Sequence, residues 1–101
     1  MTDGDKASMF AYRRAMNTIG AAALLMGANF GMADAVVGPE RSLRLSWQTF
    51  FRRKRREVNV IFAGSKNRTT YMYREYGTYY EVDENVTSQK LAEWLVWLKG
   101  L

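Results

Sequence analysis

The residues with the clearest chemical potential in this 101-residue chain are five consecutive cations, Arg52, Arg53, Lys54, Arg55 and Arg56. A cluster of guanidinium and ammonium groups binds phosphate groups, either on RNA or on an anionic bilayer, or else forms a solvated face. The net formal charge of +5 is compatible with all three. We predict that these five side chains contact lipid headgroups or other phosphates.

The chain lacks the residue types on which most catalytic and metal sites depend. It contains no cysteine and no histidine, which excludes disulfides and thiolate chemistry and removes the usual general base. Its carboxylates show no paired spacing for acid/base catalysis, and no glycine-rich phosphate loop is present. The sequence therefore predicts a protein that is not an enzyme, with no cofactor, no metal site and no small-molecule substrate.

The element expected to position the cations is a helix over residues 42–57. Its apolar residues recur at i, i+4, i+7 and i+8, which is the spacing of one helix face: Leu43, Trp47, Phe50 and Phe51. Ser42 is a candidate N-cap, and cations at the C-terminus complement the helix dipole. We predict a basic amphipathic helix at the surface of an anionic membrane.

A charge-poor stretch over residues 15–37 precedes that helix, and Gly38-Pro39 is the expected helix stop. As a helix it would rise about 34 Å, enough to cross a bilayer. Three glycines fall on roughly one side and predict close helix packing: Gly20, Gly27 and Gly31. We predict a transmembrane helix that packs against other helices, with a buried or partner-bound helix of a soluble assembly as the alternative. The cations after it favour a C-terminal part on the cytoplasmic side, or on the matrix side if the membrane is the mitochondrial inner membrane.

Residues 58–101 are predicted to form a small globular head. Residues 58–82 alternate and contain turn residues near Gly64 and Gly77, which predicts a short antiparallel β-meander. Thr87 or Ser88 can cap a last helix with an apolar stripe. The expected fold class is α+β, with a polar segment 1–14, a membrane helix 15–38, an interfacial helix 42–57 and a head 58–101.

Five tyrosines of the head allow two interpretations: Tyr71, Tyr73, Tyr76, Tyr79 and Tyr80. They could stack on the bases of single-stranded RNA. They could also form cross-strand pairs on a half-buried sheet face, which is how sheets commonly use tyrosine and which the sequence favours.

Several motifs in residues 43–99 resemble a known family. They are Trp47 with the basic run, Gly64 followed by Tyr71 and Tyr73, and the terminal Glu93-Trp94-x-x-Trp97-Leu98. This combination resembles the accessory-subunit family of mitochondrial complex I (NADH:ubiquinone oxidoreductase) that includes mimitin. The resemblance implies a non-catalytic subunit or assembly factor of that complex.

The leading functional hypothesis is accordingly an accessory subunit of a respiratory complex in the mitochondrial inner membrane. Its partners would be other subunits and anionic phospholipid. The side chains expected to contact partners are Trp47, Phe50, Phe51, Tyr71, Tyr73, Trp94, Trp97 and Leu98. The alternative is an organellar ribosomal or other RNA-binding protein, in which the basic run contacts phosphates and the tyrosines stack on bases.

Overall fold

Five antiparallel strands form one sheet, in which every strand pairs with its neighbour in sequence. The structure, a computed structural model, describes residues 6–100. The strands are β1 (Asp34–Val37), β2 (Leu43–Phe51), β3 (Lys54–Phe62), β4 (Tyr71–Tyr76) and β5 (Tyr79–Asp83). Helix α1 (Met9–Met26) precedes the sheet and helix α2 (Ser88–Leu98) follows it, and two short 3-10 turns lie at Gly27–Asn29 and Pro39–Arg41.

Residues 42–57 form a β-hairpin, so the predicted basic amphipathic helix is wrong. Strands β2 and β3 pair from Leu43 opposite Phe62 to Phe51 opposite Lys54. Leu43, Leu45 and Trp47 recur with a period of two, and β3 places Phe62, Val60 and Val58 opposite them. The helical interpretation used Leu43 and Trp47 together with Phe50 and Phe51 and left Leu45 out.

The expected apolar helix over 15–37 is also corrected. Helix α1 begins earlier, with the Ser8 hydroxyl as N-cap, and ends at Met26 because Gly27 takes a positive φ of 60°. The later part of the stretch forms edge strand β1 instead. Within residues 6–100, neither helix combines the length and hydropathy needed to cross a membrane. The predicted transmembrane helix is therefore wrong.

Both helices pack on one face of the sheet and share its hydrophobic core. Helix α1 contributes a stripe dominated by small side chains, Ala11, Ala15, Ala22 and Met26. Helix α2, capped by Thr87, contributes Leu91, Ala92, Trp94, Leu95 and Leu98. The strands contribute Leu45, Trp47, Val58, Val60, Phe62 and Met72. Burial of these side chains drives the two layers together. Within residues 6–100, no helix covers the other face of the sheet.

Two arginines on the helix side fasten α2 to the sheet. The Arg74 guanidinium lies 4.7 Å from the Trp94 ring and 4.9 Å from the Trp97 ring. Arg56 lies 4.9 Å from the Trp97 ring and donates to the Trp97 carbonyl oxygen. These contacts combine cation–π attraction with a hydrogen bond to a carbonyl at the helix C-terminus, which also accepts from Gly100 N at 3.0 Å. These contacts hold α2 against β3 and β4, on one side of the sheet.

Candidate functional site

The helix-free side of the sheet, here called the open face, presents every second side chain of the strands. By strand register these are Asp34 and Val36 of β1; Arg44, Ser46, Gln48 and Phe50 of β2; Arg55, Glu57, Asn59 and Ile61 of β3; Tyr71, Tyr73 and Glu75 of β4; and Tyr80 and Val82 of β5. These side chains include four aromatic rings, two arginines, three carboxylates and three aliphatic residues, so most of this face is polar or aromatic.

A polar network lies at the centre of the open face. Asn59 is fully buried and Glu57 is 6 % exposed, although no helix covers them. The Asn59 Oδ1 accepts from Arg44 Nε at 3.0 Å and from Ser46 Oγ at 2.6 Å, and its Nδ2 donates to Glu57 Oε1 at 2.9 Å. Because the buried groups are satisfied by one another, the network holds its members in fixed positions.

Arg44 is the member of this network that reaches solvent. Its Nη2 donates to the Tyr73 hydroxyl at 2.9 Å and lies 3.8 Å from Glu57 Oε1, yet its side chain is 43 % exposed. Burial raises the pKa of Tyr73 above its ordinary value, and its hydroxyl oxygen accepts from Arg44. Arg44 is therefore an oriented and accessible cation.

A cavity of about 340 Å³ opens beside Arg44. Its walls include Val36 and Pro39, Ile61, and the rings of Tyr71 and Tyr73. Apolar walls with one oriented charged group are typical of sites for small ligands or for single groups of larger ones.

The aromatic side chains of the open face are accessible in different degrees. Phe50 is 77 % exposed and Tyr80 is 58 % exposed, while Tyr71 and Tyr73 are half-buried. The rings of Tyr73 and Tyr80 lie 5.6 Å apart, a contact between neighbouring strands of the kind that sheets use. The face therefore has both cross-strand ring contacts and exposed ring surface.

The other two tyrosines of that predicted set lie on the helix side. Tyr76 contacts the guanidinium of Arg56, with 4.9 Å to the ring centre. The Tyr79 hydroxyl donates to Glu81 Oε1, and its ring lies 5.7 Å from the guanidinium of Arg74. These two rings belong to the packing of α2.

The run of five cations is divided by the β2–β3 turn. Residues 52–55, here called the basic hairpin, are exposed at one end of the sheet, whereas Arg56 points to the helix side and stacks on Trp97. Lys54 extends towards the neighbouring β4–β5 turn, within 3.6 Å of the position that a Cβ on Gly77 would take. Four cations therefore remain at the surface beside the open face.

The turn of the basic hairpin has an unfavourable backbone. Arg52 and Arg53 have φ values of 51° and 68°, a region that Asn and Gly adopt readily and that other residues adopt at a cost. Strained backbone of this kind concentrates at functional sites. The arginines at this turn thus reduce stability while adding charge at an exposed tip.

The remaining predicted contact residues are placed as follows. Trp47, Trp94 and Leu98 are buried in the core, and Trp97 is partly buried between arginines. The side chain of Phe51 lies outside the described part of the structure. Within the described chain, no atom other than those of adjacent chain segments lies within 4 Å of a Cβ built on Gly20, Gly27 or Gly31, and Gly27 and Gly31 do not share a helix.

Sequence reasoning missed Arg44, Ser46, Glu57 and Asn59 as members of one surface. Arg44 and Ser46 alternate with apolar residues in β2, as Glu57 and Asn59 do in β3. That alternation is the signal of a strand with one polar face. It was obscured because the same stretch was assigned to a helix.

Comparison with protein-family models, with curated proteins and with solved structures finds no match for this chain. The resemblance to the complex I accessory-subunit family stays a prediction based on its motif residues. In the structure those residues lie in β2, in the β3–β4 connection, in β4 and in α2.

Proposed function

We propose that this protein is a non-catalytic nucleic-acid-binding protein that holds a single strand on the open face, with the basic hairpin on the phosphates. The observation that carries the proposal is the shared location of exposed rings and cations on the uncovered side of the sheet, next to the basic hairpin. Single-strand binders combine these two elements, because rings stack on bases and cations follow the backbone.

The exposed rings are spaced for successive bases. Phe50 lies on β2, Tyr73 lies on β4, and Tyr80 lies on the neighbouring strand β5. Adjacent strands are about 4.8 Å apart, so these rings span roughly 15 Å across the sheet. A strand of a few nucleotides covers that distance, and each stacked base contributes about 1–3 kcal/mol.

The basic hairpin supplies the electrostatic part of binding. Its four exposed cations lie at the same end of the sheet as the exposed ring of Phe50. Neutralising phosphates releases condensed counterions, so binding should weaken steeply as salt is added.

Fluorescence anisotropy of a labelled single-stranded oligonucleotide, titrated with the full chain over a salt series, tests this proposal. The variant Arg52→Asn with Arg53→Gly removes two cations and replaces them with residues that suit the turn. Each phosphate contact on a single strand contributes about 0.7 to the magnitude of the slope of log K against log salt. Removing two cations should therefore reduce that magnitude by about 1.4.

The matched control is Arg13→Gln with Arg14→Gln, which removes the same charge from exposed positions on α1, away from the sheet. It should leave the slope close to that of the original chain. Absence of binding at low salt, or equal effects of the two double variants, would contradict the proposal.

A second candidate function is that of an accessory subunit in a larger assembly. It is favoured by apolar side chains on the outer side of the helices: Leu24 is 87 % exposed, Leu25 is 62 % exposed, and Leu25 and Val96 border a cavity of about 310 Å³ between the helices. Apolar surface of this kind marks contact sites. Membership of a respiratory complex stays a prediction.

Purification from cells in mild detergent, followed by crosslinking, tests the second candidate. A stable set of partners crosslinked to α1 and α2 would support it, and recovery of the chain alone would oppose it. Sedimentation with anionic vesicles separates the lipid contact from the nucleic-acid contact, because vesicle binding without oligonucleotide binding would favour the membrane surface.

A further inference from the structure

We propose that the cavity beside Arg44 receives one base of the bound strand and selects guanine. This inference rests on the proposed function and adds a base preference to it. The position and chemistry of Arg44, the shape of the cavity and the rings at its wall carry it.

The cavity has the size and lining of a site for one flat group. Its volume of about 340 Å³ falls at the lower end of the range for small-molecule sites. Val36 and Ile61 form apolar walls, and the ring of Tyr71 offers a stacking surface. A base that leaves the strand at this point would exchange water for apolar and aromatic contacts.

Arg44 is positioned before any ligand arrives. Asn59 fixes its Nε at 3.0 Å and Tyr73 fixes its Nη2 at 2.9 Å. Its Nη1 donates no hydrogen bond to any part of the chain that the structure describes. Because the side chain is already oriented, little rotamer entropy is lost when the remaining donors meet a ligand.

The donors of a guanidinium select a base with two adjacent acceptors. Guanine presents O6 and N7 side by side on the edge that a duplex exposes in its major groove, whereas adenine places an amino donor beside N7 there. Uracil offers a single carbonyl oxygen on the corresponding edge. Cytosine has an amino donor on that edge, but once unpaired it also offers the adjacent acceptors O2 and N3 on its Watson–Crick edge, so it is the nearest competitor of guanine. An arginine that pairs with two acceptors discriminates by roughly 1–3 kcal/mol, which is a factor of about 5 to 150 in affinity.

The acidic groups nearby do not oppose this assignment. Glu57 approaches Arg44 to 3.8 Å but is only 6 % exposed, so it faces the network and not the cavity. Asp34 and Glu75 occupy other rows of the open face. Arg44 is therefore the charged side chain that a base in the cavity contacts.

The test compares anisotropy titrations of the full chain with four oligouridylates that carry a single G, A, C or U at the central position. The guanine oligonucleotide should bind roughly tenfold more tightly than the adenine and uracil oligonucleotides, and also more tightly than the cytosine oligonucleotide, whose smaller ring stacks on less of Tyr71. A fifth oligonucleotide, with 7-deazaguanine at the same position, lacks the N7 acceptor and should lose most of that advantage without any change to the protein.

The variant Arg44→Lys tests the protein side, and Arg13→Lys on α1 is its matched control. The ratio of guanine to uracil affinity should fall to within about twofold in Arg44→Lys and stay near tenfold in the control. Circular dichroism checks that the variant is folded; if it is not, the 7-deazaguanine comparison decides on the original chain.

The outcomes separate this inference from the proposed function. Equal binding of all four bases overturns the guanine pocket and leaves single-strand binding in place. A guanine preference that persists with 7-deazaguanine overturns the role of Arg44. Failure of every oligonucleotide to bind at low salt overturns both proposals.

Discussion

Arginines that look alike in the sequence have different roles in the structure. Arg44 is held by Asn59 and Tyr73 on the open face. Arg56 and Arg74 lie among aromatic rings on the helix side. Arg52 occupies a strained turn. The difference depends on which face a strand residue takes and on the sign of φ, and neither is visible in the identity of the residue.

The turn of the basic hairpin gives the first prediction. Replacing Arg52 by Asn and Arg53 by Gly should increase the free energy of unfolding by about 1–2 kcal/mol, because both positions have positive φ. Urea unfolding measures this change. The same variant should bind oligonucleotides less tightly, so stability and binding move in opposite directions. A less stable variant would show that the arginine side chains stabilise the turn.

The acidic residues of β5 give a prediction for pH dependence. Hydrogen bonds from Tyr79 and Arg74 lower the pKa of Glu81 below its ordinary value of 4.5. A hydrogen bond from Lys90 lowers the pKa of Asp83 below 3.8. Since these pKa values are lower in the folded state, the unfolded chain takes up protons first as pH falls. The stabilisation is present above the ordinary values and is lost as pH falls through the folded ones.

Urea midpoints between about pH 6 and about pH 2.5 test this dependence. Stability should decline in the acidic part of that range, and the decline should be smaller in Glu81→Gln and in Asp83→Asn. Unchanged pH profiles in both variants would indicate that other carboxylates control acid unfolding. Glu40→Gln is a suitable control, because its partner Arg68 and Glu40 itself are both well exposed.

The helix predicted over residues 42–57 was wrong, whereas the expected last helix is present as α2. The last helix has apolar residues at helical spacing and a Thr87 cap, and both signals are local. The β2–β3 hairpin has a turn of two arginines in place of the Asn-Gly type of signal. Its strands are adjacent in sequence, and their alternation of apolar and polar residues was overlooked because the stretch was assigned to a helix.

Helix α2 and the sheet are joined by Arg74, which gives a prediction about their packing. Its guanidinium contacts two tryptophan rings and pairs with Glu81 Oε1 at 2.6 Å, with 18 % of the side chain exposed. Arg74→Lys keeps the charge but loses the planar stacking on the tryptophan rings and the paired hydrogen bonds from Nε and Nη2 to Glu81 Oε1. Unfolding in urea should show a loss of about 1–2 kcal/mol.

The matched control for Arg74 is Arg68→Lys, which alters an exposed pair with Glu40. Its effect should stay within about 0.5 kcal/mol, as for surface ion pairs generally. Equal losses in the two variants would mean that the aromatic stack contributes nothing beyond charge.

The whole chain is organised as two layers, and this could be predicted only in part. Turn residues, the strands after residue 58 and the final helix are marked by local patterns. The first forty residues were separated from the head because the low charge and the length of residues 15–37 indicated a membrane helix. In the structure the alanines allow α1 to pack closely on α2 and the sheet, and Gly27 ends the helix before the length needed for a span.

The composition of the open face was predicted only through its tyrosines. Base stacking and cross-strand pairing were set against each other, yet Tyr73 and Tyr80 contact one another while Tyr80 stays largely exposed. The polar network around Asn59 could not be found from sequence, because it requires the register of β2, β3 and β4. Register is set by turn geometry and by the alternation of apolar residues, and both were overlooked when residues 42–57 were assigned to a helix.

Amide NMR spectra of the labelled chain, recorded during titration with a single-stranded oligonucleotide at low salt, report contacts on both layers at once. We expect saturable shifts at Phe50, Tyr71, Tyr73 and Tyr80 and along residues 52–55, with the outer positions of α1 unaffected. Shifts confined to α1 and α2, or none at saturating oligonucleotide, would show that the open face does not bind nucleic acid.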